Sequence, residues 1–414
     1  MTLVAEFDPK MLKTLATCPV CDHDGDASER IAEDFIELLG GRLYFSVDLC
    51  PHCGIIYSRT RSREDRLYTA VADIEKNHGH QRPGLSPLSS DVWNLETKTM
   101  QVAEIIAAMP RPGSAADPVK YLEVGASDGM LFRMVHQRMS EQGRTLNATL
   151  VESTGAAEPC GEIDGCTVCS QSFLETFDTP QIGYDIAVLS HCLEHFDNPR
   201  EVIAKAHALL APGGILYVEV PDGMRYDRCI STPLGYYHVT NFNLINLAWM
   251  IGDLGFRCRD EVERHHYPGI RVIAAKASTP DRTPISHPIS PSAVQLSRDA
   301  LAVWEKARED AFARLKPLSG KHTLVYGAGV HTIALFNRFP DWLQSCDLAD
   351  SNANLTEFLG HAVLSPDQLD FAAYDTVVVS SYAYQDAIAR QLEAAGCPRD
   401  KIVTLYDDIF AYVM

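Results

Sequence analysis

Two Cys-x-x-Cys turns stand near the start of the chain, Cys18-Pro-Val-Cys21 and Cys50-Pro-His-Cys53-Gly54, 28 residues apart. A turn of this spacing aims two thiolates to one side, and two such turns complete the tetrahedral sulfur set that zinc prefers. Gly54 permits the tight backbone bend a knuckle requires. Cys18, Cys21, Cys50 and Cys53 are therefore expected to hold a structural zinc ion, since four protein ligands leave no open position for chemistry. A third pair, Cys166-Thr-Val-Cys169, lies near Cys160 without a second pair to match it. It is expected to pack in or beside a sheet, because residues three apart on a strand point to opposite faces.

A second group of residues is Tyr121-Leu-Glu-Val-Gly125-Ala-Ser-Asp128-Gly129, an apolar run entering a glycine-bearing turn, followed by a helical pattern over Met130–Gln142. Backbone at such a turn comes close to a ligand, and a Cβ there would obstruct it. The next apolar run ends in Glu152, 29 residues after Glu123. A carboxylate in that place can accept hydrogen bonds from two ribose hydroxyls. Further on come Ser190-His191-Cys192-Leu193-Glu194-His195-Phe-Asp-Asn-Pro199, then Leu209-Leu-Ala-Pro212-Gly213-Gly214, then Gly235-Tyr236-Tyr237-His238-Val-Thr-Asn241.

Taken together, “LEVGASDG”, “SHCLEHFDNP” and “L-x-PGG-x-L” resemble a class I, Rossmann-like methyltransferase dependent on S-adenosylmethionine (SAM), in that family's order and spacing over about 160 residues. The resemblance implies that Glu123, Gly125, Ala126, Asp128 and Gly129 line the methionine part of SAM and that Glu152 holds its ribose. By the same resemblance Gln171 and Ser172 stand at the adenine, and Ser190 and His191 face the methyl donor. A wider resemblance covers nearly the whole chain. A zinc quartet, a methyltransferase core and a C-terminal α/β domain form the plan of the nucleotide-sugar C-methyltransferases of bacterial deoxysugar pathways. “VYGAGVHT” is similar to that family's C-terminal domain, which helps hold the nucleotide of the substrate.

C-methylation requires a carbanion or enolate and hence a base. His238 is the expected base, with His191 sharing the catalytic role and Tyr237 bonding a developing oxyanion. Tyr236 and Asn241 are expected on the acceptor side. The sugar C-methyltransferases carry Tyr-x-Glu-His at this place, whereas this chain has Gly235-Tyr-Tyr237-His238 with no glutamate before the histidine. Oxygen or nitrogen methylation in natural-product or surface-glycan tailoring stands beside C-methylation for that reason. A non-catalytic binding or scaffold protein of the same fold is the rival from another class. His195 is read as capping or packing against the following helix, and His265-His266-Tyr267 as structural or substrate-side.

In the C-terminal part, Val325-Tyr-Gly327-Ala-Gly329-Val-His331-Thr332 joins a strand to a helix and has Thr332 where a third glycine would complete a dinucleotide fingerprint. Asp350 lies 21 residues after Gly329, a spacing that suits a ribose-binding acid. Gly327, Gly329 and His331 are expected to touch the nucleotide of the substrate. A scaffold or dimerisation role and a dinucleotide site are the alternatives.

The elements that must position these residues read as three domains. Residues 1–75 form a small zinc-binding domain, 76–280 the methyltransferase domain and 300–414 a Rossmann-like α/β domain, with a Pro-rich linker at 281–299. A helix is expected from about Val92 to Met109. Expected strands are Tyr121–Val124, Ala148–Val151, Ile186–Leu189, Ile215–Val220 and Ile270–Ala275, with helices Met130–Gln142 and Arg200–Leu210 between them. Strand–helix alternation of this kind argues for a parallel sheet covered on both faces. In the last domain the expected elements are strands Thr323–Tyr326, Ser345–Leu348, Thr376–Val379 and Ile402–Leu405, with helices at about 293–315, up to Arg338 and around Gln385–Ala395.

The chain of 414 residues carries 36 Lys+Arg against 55 Asp+Glu, a formal charge of −19. That surface repels DNA and RNA, so a small-molecule acceptor is expected and a nucleic acid is not. No apolar run is long enough to span a bilayer and no signal core is visible, so a cytoplasmic protein, monomeric or homodimeric, is expected.

Overall fold

The computed structural model describes residues 8–38, 41–63, 90–110, 117–175, 177–178, 183–225, 238–263, 269–277, 291–352, 355–381 and 385–406. Three sheets organise them. The first contains β1 (Leu12–Thr14), β2 (Glu29–Leu38), β3 (Gly41–Leu49), β4 (Ile56–Tyr57) and β5 (Thr60–Ser62). β2 and β3 form the long antiparallel pair, and the two Cys-x-x-Cys turns lie before β2 and after β3.

The central sheet follows helix α1 (Ser90–Ala108). Its elements are β6 (Val119–Val124), α2 (Met130–Glu141), β7 (Leu146–Val151), β8 (Cys166–Cys169), β9 (Tyr184–Ser190), α3 (Pro199–Leu209) and β10 (Leu210–Pro221). After β11 (Thr240–Asn241) and α4 (Leu244–Asp253), β12 (Phe256–Glu263) and β13 (Gly269–Lys276) complete it. The strand order is β12-β13-β10-β9-β6-β7-β8. β8, β7, β6, β9 and β10 run parallel, and β13 is antiparallel to β10 and β12. β6, β7, β9 and β10 are buried over most of their length because helices and the N-terminal knuckles cover the two faces. One face joins Leu189, Val218 and Phe242 to Val20, Ile55 and Tyr57 of the N-terminal region in a single core. The other packs α1 and α2 through Ile105, Phe132 and Val135.

β11 does not belong to the central sheet. It pairs antiparallel with β4, so the N-terminal sheet takes a strand from the middle of the chain. Helix α5 (Pro291–Leu315) lies against the same sheet, with Leu301 and Trp304 packed on Phe45 and Val47. Residues 291–299, expected as linker, are thus the first turns of a helix. Proline suits that position because its fixed φ and missing N–H cost nothing in the first turn. Ser297 on α5 donates a 2.5 Å hydrogen bond to the Gly54 carbonyl, tying the helix to the second knuckle.

The third sheet has β14 (Thr323–Tyr326), β15 (Asp347–Ala349), β16 (Glu357–Phe358), β17 (His361–Leu364), β18 (Thr376–Val379) and β19 (Ile402–Val403) in the order β16-β17-β15-β14-β18-β19. All but β16 are parallel. Helices α6 (Val330–Arg338), α7 (Pro340–Gln344) and α8 (Gln385–Ala394) belong to this domain. Among the described residues no helix is long and apolar enough to cross a membrane.

Candidate active site and metal centre

The two knuckles converge. Cys18 Sγ lies 3.6 Å from Cys53 Sγ, and Cys21 Sγ 3.7 Å from Cys50 Sγ, all four within 4.8 Å of one another. Zinc–sulfur bonds of about 2.3 Å in a tetrahedron put neighbouring sulfurs about 3.8 Å apart. The set therefore has the size to hold a zinc ion. Each turn closes on its own backbone: Asp22 N–H donates to the Cys18 carbonyl and Gly54 N–H to the Cys50 carbonyl, both at 3.0 Å. Gly54 has φ +72° and its missing Cβ would stand 2.5 Å from the Ala293 carbonyl oxygen, so glycine is required here twice over. Hydrogen bonds from the other three thiols push Cys50 far down, while burial pushes Cys18 and Cys53 up.

The glycine turn follows β6. Gly125 (φ +71°) and Gly129 (φ +73°) are left-handed, and so is Ser127 between them (φ 51°). A Cβ on Gly125 would meet Cys192 Cβ at 2.5 Å, and one on Gly129 would meet Cys160 Sγ at 2.2 Å. The glycines thus answer to the thiols packed beneath the turn as well as to any ligand above it. Asp128 caps α2 by accepting from Met130 N–H at 2.9 Å, and Ala126 is buried. Glu123 is buried at the end of β6 and accepts from Tyr121 Oη at 2.5 Å. Burial raises its pKa to about 7. Glu152, at the end of β7, accepts from Ser127 N–H at 2.9 Å with one oxygen and from the Thr154 N–H and hydroxyl at 3.0 Å with the other. It therefore holds the turn and the next loop together at the place expected for the ribose. Gln171 is exposed and Ser172 half-buried just beyond β8, at the same end of the sheet.

β9 ends in Ser190, with His191 directly after it. Buried Ser190 accepts from Gln101 Nε2 at 3.1 Å, and the same amide donates to Glu219 Oε1 at 3.0 Å. Tyr217 Oη donates to the second Glu219 oxygen at 2.6 Å, so that fully buried carboxylate is held from both sides. His191 follows in a left-handed conformation (φ 51°), with Nδ1 3.9 Å from Glu194 Oε1 and Nε2 3.8 Å from Glu219 Oε1. His195 Nε2 lies 3.8 Å from the same Glu194 oxygen. His238 comes from the other side, its ring edge-on to His195 with centroids 5.0 Å apart. Packing around its ring, with some help from His195 and His191, pushes the His238 pKa down to about 3, although the side chain keeps some solvent contact.

The splice between β4 and β11 sets this geometry. Ser58 N–H donates to the Val239 carbonyl at 2.8 Å, and Val239 N–H donates to the Glu194 carbonyl at 2.9 Å. His238 is thereby clamped between the sheet of the cysteine knuckles and the loop after β9. Arg200 at the start of α3 reaches back to the first knuckle, donating to the Val20 carbonyl at 2.9 Å and pairing with Asp22 at 3.1 Å.

Several expectations land elsewhere. Asn241, expected on the acceptor side, is buried in β11, where it pairs with Ile56 of β4 and lies beside Gly223. His331 is buried, with Nδ1 3.0 Å from Ser380 Oγ and Nε2 2.6 Å from Tyr406 Oη. Both ring nitrogens are engaged inside the domain and neither is left for a nucleotide. Gly327 (φ +112°) meets the Ser380 carbonyl oxygen, which a Cβ would approach to 2.7 Å, whereas Gly329 faces open space. Asp350 does reach its turn, accepting from Ala328 N–H at 2.8 Å. Cys166 and Cys169 lie on β8 as expected of a packed pair. His195, expected to cap or pack the following helix, lies beside Glu194 and His238. Tyr236, Tyr237 and His265-His266-Tyr267 lie outside the described residues, as does 281–290 of the expected linker. Glu194, Glu219 and Gln101 were not anticipated. The signal for Gln101 was a polar residue interrupting the apolar face that carries Ile105, and for Glu194 a carboxylate set between two histidines.

The sequence pattern of the methyltransferase domain family matches residues 97–261, and that of a family described as C2185-like, N-terminal, matches residues 320–403. A probable S-adenosylmethionine-dependent methyltransferase of Mycolicibacterium smegmatis is 24% identical over 97 residues, 23% of this chain. The match spans 38% of that relative's length. Among solved structures, an S-adenosylmethionine-dependent methyltransferase of Mesorhizobium loti is 14% identical, with 42% of this chain and 96% of that one covered at a TM-score of 0.33. The 1,6-didemethyltoxoflavin-N1-methyltransferase of Burkholderia thailandensis, with S-adenosylhomocysteine bound, is 19% identical, with 59% and 99% covered at a TM-score of 0.37. With its strand order, its glycine turn after β6 and the domain pattern that matches it, the stretch 97–261 is a class I SAM-dependent methyltransferase domain.

Proposed function

We propose that this protein transfers the methyl group of SAM to a small polar metabolite, a nucleotide-linked sugar, at a carbon beside a carbonyl. The observation that carries the reading is the convergence of His191, His195 and His238 around Glu194, directly after Ser190 at the carboxyl end of β9. SAM is already an electrophile, so the protein has to align the acceptor, exclude water and take a proton from it. We assign the proton to His191 rather than to His238. His191 leaves β9 toward the donor side and has a carboxylate near each ring nitrogen, an arrangement that steadies an imidazolium. His238 is boxed in by His195 and holds the acceptor side in shape. Tyr237 remains the candidate for the developing oxyanion. The nucleotide of the substrate is assigned to the C-terminal domain, at the turn formed by Gly327, Ala328 and Gly329, on the resemblance of the three-domain plan. The Cys quartet is assigned a structural zinc ion on its sulfur spacing.

An oxygen acceptor is the second reading, favoured by one observation. The carboxylate next to His238 comes from Glu194, in the turn after β9, and not from the residue before the histidine as in the sugar C-methyltransferases. The test is calorimetric titration with SAM and its demethylated product, followed by a screen of nucleotide sugars with labelled SAM. Micromolar binding of both, lost in Gly125→Trp, together with label in a nucleotide sugar, supports the reading. Absence of binding by a folded, zinc-loaded sample defeats it. The position of the label, on carbon or on oxygen, separates the two readings.

A further inference from the structure

Glu194 is a buried carboxylate with an unmet need. The residue is 2% exposed, and its Oε2 makes no hydrogen bond. Its neighbour Glu219 is equally buried but satisfied, with Gln101 on one oxygen and Tyr217 on the other. A carboxylate withdrawn from water without donors costs several kcal/mol and persists where a cation or proton compensates it. The Val239 amide and Thr240 hydroxyl go to its main-chain carbonyl, whereas the groups near its carboxylate are the imidazoles of His191, His195 and His238. One ring nitrogen each of His195 and His238, with a Glu194 oxygen, lie within 4.8 Å of one another.

We propose that Glu194, His195 and His238 bind a divalent first-row transition ion, distinct from the ion assigned to the cysteine quartet. Two imidazoles and one carboxylate leave several coordination positions open, the pattern of a reactive rather than a structural site. The two imidazoles suit iron, nickel, copper or zinc over magnesium and calcium, and the carboxylate with open positions for oxygen admits manganese. Bonds of about 2.1 Å place neighbouring ligand atoms about 3–4 Å apart. The 3.8 Å between His195 Nε2 and Glu194 Oε1 already meets this, and small rotations of the rings bring the third atom in. The backbone is prepared for it, since the Val239 N–H to Glu194 carbonyl bond fixes the two chain segments that supply the ligands.

The site lies beside Ser190 and His191, so the proposal rests on the methyl-transfer reading and narrows its substrate class. The open positions would be filled by an acceptor bearing two adjacent oxygens, as a hydroxyketone or a diol of a sugar does. Oxygen chelation by such an ion stabilises negative charge on the acceptor.

The experiment uses the full chain with Mn2+ as probe, because thiolates of the quartet bind it poorly. Mn2+ titration followed by electron paramagnetic resonance is expected to give one saturable site per chain, and pulsed spectra to display coupling to imidazole nitrogen. Glu194→Gln and His195→Gln should each weaken binding on the order of 100-fold. SAM titration of the same samples reports separately on the donor site, so loss of the methyltransferase reading and loss of the metal site are told apart. Absence of saturable Mn2+ binding overturns the proposal. Bound Mn2+ without imidazole coupling also overturns it, and that measurement needs only the unaltered protein. Affinity unchanged in Glu194→Gln overturns it equally.

Discussion

The two glycines of the turn after β6 offer a discriminating perturbation, because different atoms of two cysteines lie beneath them. Gly129→Ala puts a Cβ 2.2 Å from Cys160 Sγ at a backbone φ of +73°. The left-handed conformation costs a non-glycine residue about 1–2 kcal/mol, and overpacking adds about 1–3 kcal/mol. The variant is therefore expected to lose about 2–5 kcal/mol, a fall in melting temperature on the order of 10 °C for a domain of this size. Cys160→Ala removes the offending sulfur, and the next nearest atom, Cys160 Cβ, stands at a comfortable 3.6 Å. The double variant should regain the overpacking share, so a double-mutant cycle should return a coupling of about 1–3 kcal/mol. At Gly125 the same manoeuvre fails. There the nearest atom is Cys192 Cβ at 2.5 Å, which Cys192→Ala retains. Chemical denaturation of the single and double variants, with SAM affinity measured alongside, gives both cycles. Equal coupling at the two positions, or none at Gly129, would refute the claim that the packing beneath the turn dictates these glycines.

Three further outcomes are expected. Glu152→Ala frees the Ser127 and Thr154 amides from a shared carboxylate and should weaken SAM binding about 10–100-fold, read by calorimetry, since charged hydrogen bonds are worth about 1.5–3 kcal/mol. Removing metal from the cysteine quartet with a thiolate-competing chelator should depress turnover far more than SAM affinity, because the knuckle sheet holds β11 and His238 but not the glycine turn. His331 has its pKa pushed down to about 3 by burial, so it is neutral when folded and protonated when unfolded over the interval from about pH 6.5 to 3. The stability it contributes is present above pH 6.5 and lost as the pH falls, by up to about 1.4 kcal/mol per pH unit. Melting of the C-terminal domain should show that slope and His331→Asn should flatten it.

The central sheet was legible because its strands are buried on both faces and must be continuous apolar runs, as at Ile186–Leu189 and Ile215–Val220. The cysteine quartet and the glycine turn were legible for a different reason: their chemistry fixes spacing along the chain. The acceptor side was not. His191 and His238 were singled out as catalytic candidates, but Glu194 between His191 and His195 was given no role. Its burial follows from the docking of residues 238–241 onto another domain, and a two-residue strand such as Thr240–Asn241 has no periodicity to detect. The interior placement of His331 escaped for a related reason. Spacing along a strand–turn–helix locates a residue at the helix start, but packing against Ser380 and Tyr406 decides where its ring goes.

The β4–β11 pairing imposes a schedule on the ribosome. Ile56 and Tyr57 are made early, but their partner is not translated until about 180 residues later. At ordinary elongation rates of 5–20 residues per second that interval is roughly 10–40 s. Throughout it, a nascent chain carries an apolar strand edge with nothing to pair with, the kind of edge that recruits other chains. Early capture of metal by the two cysteine turns would hold that edge in a compact knuckle while the rest is made. Cells starved of zinc should then accumulate aggregates seeded at the amino-terminal region, even though the methyltransferase sheet itself contains none of the four cysteines of the quartet.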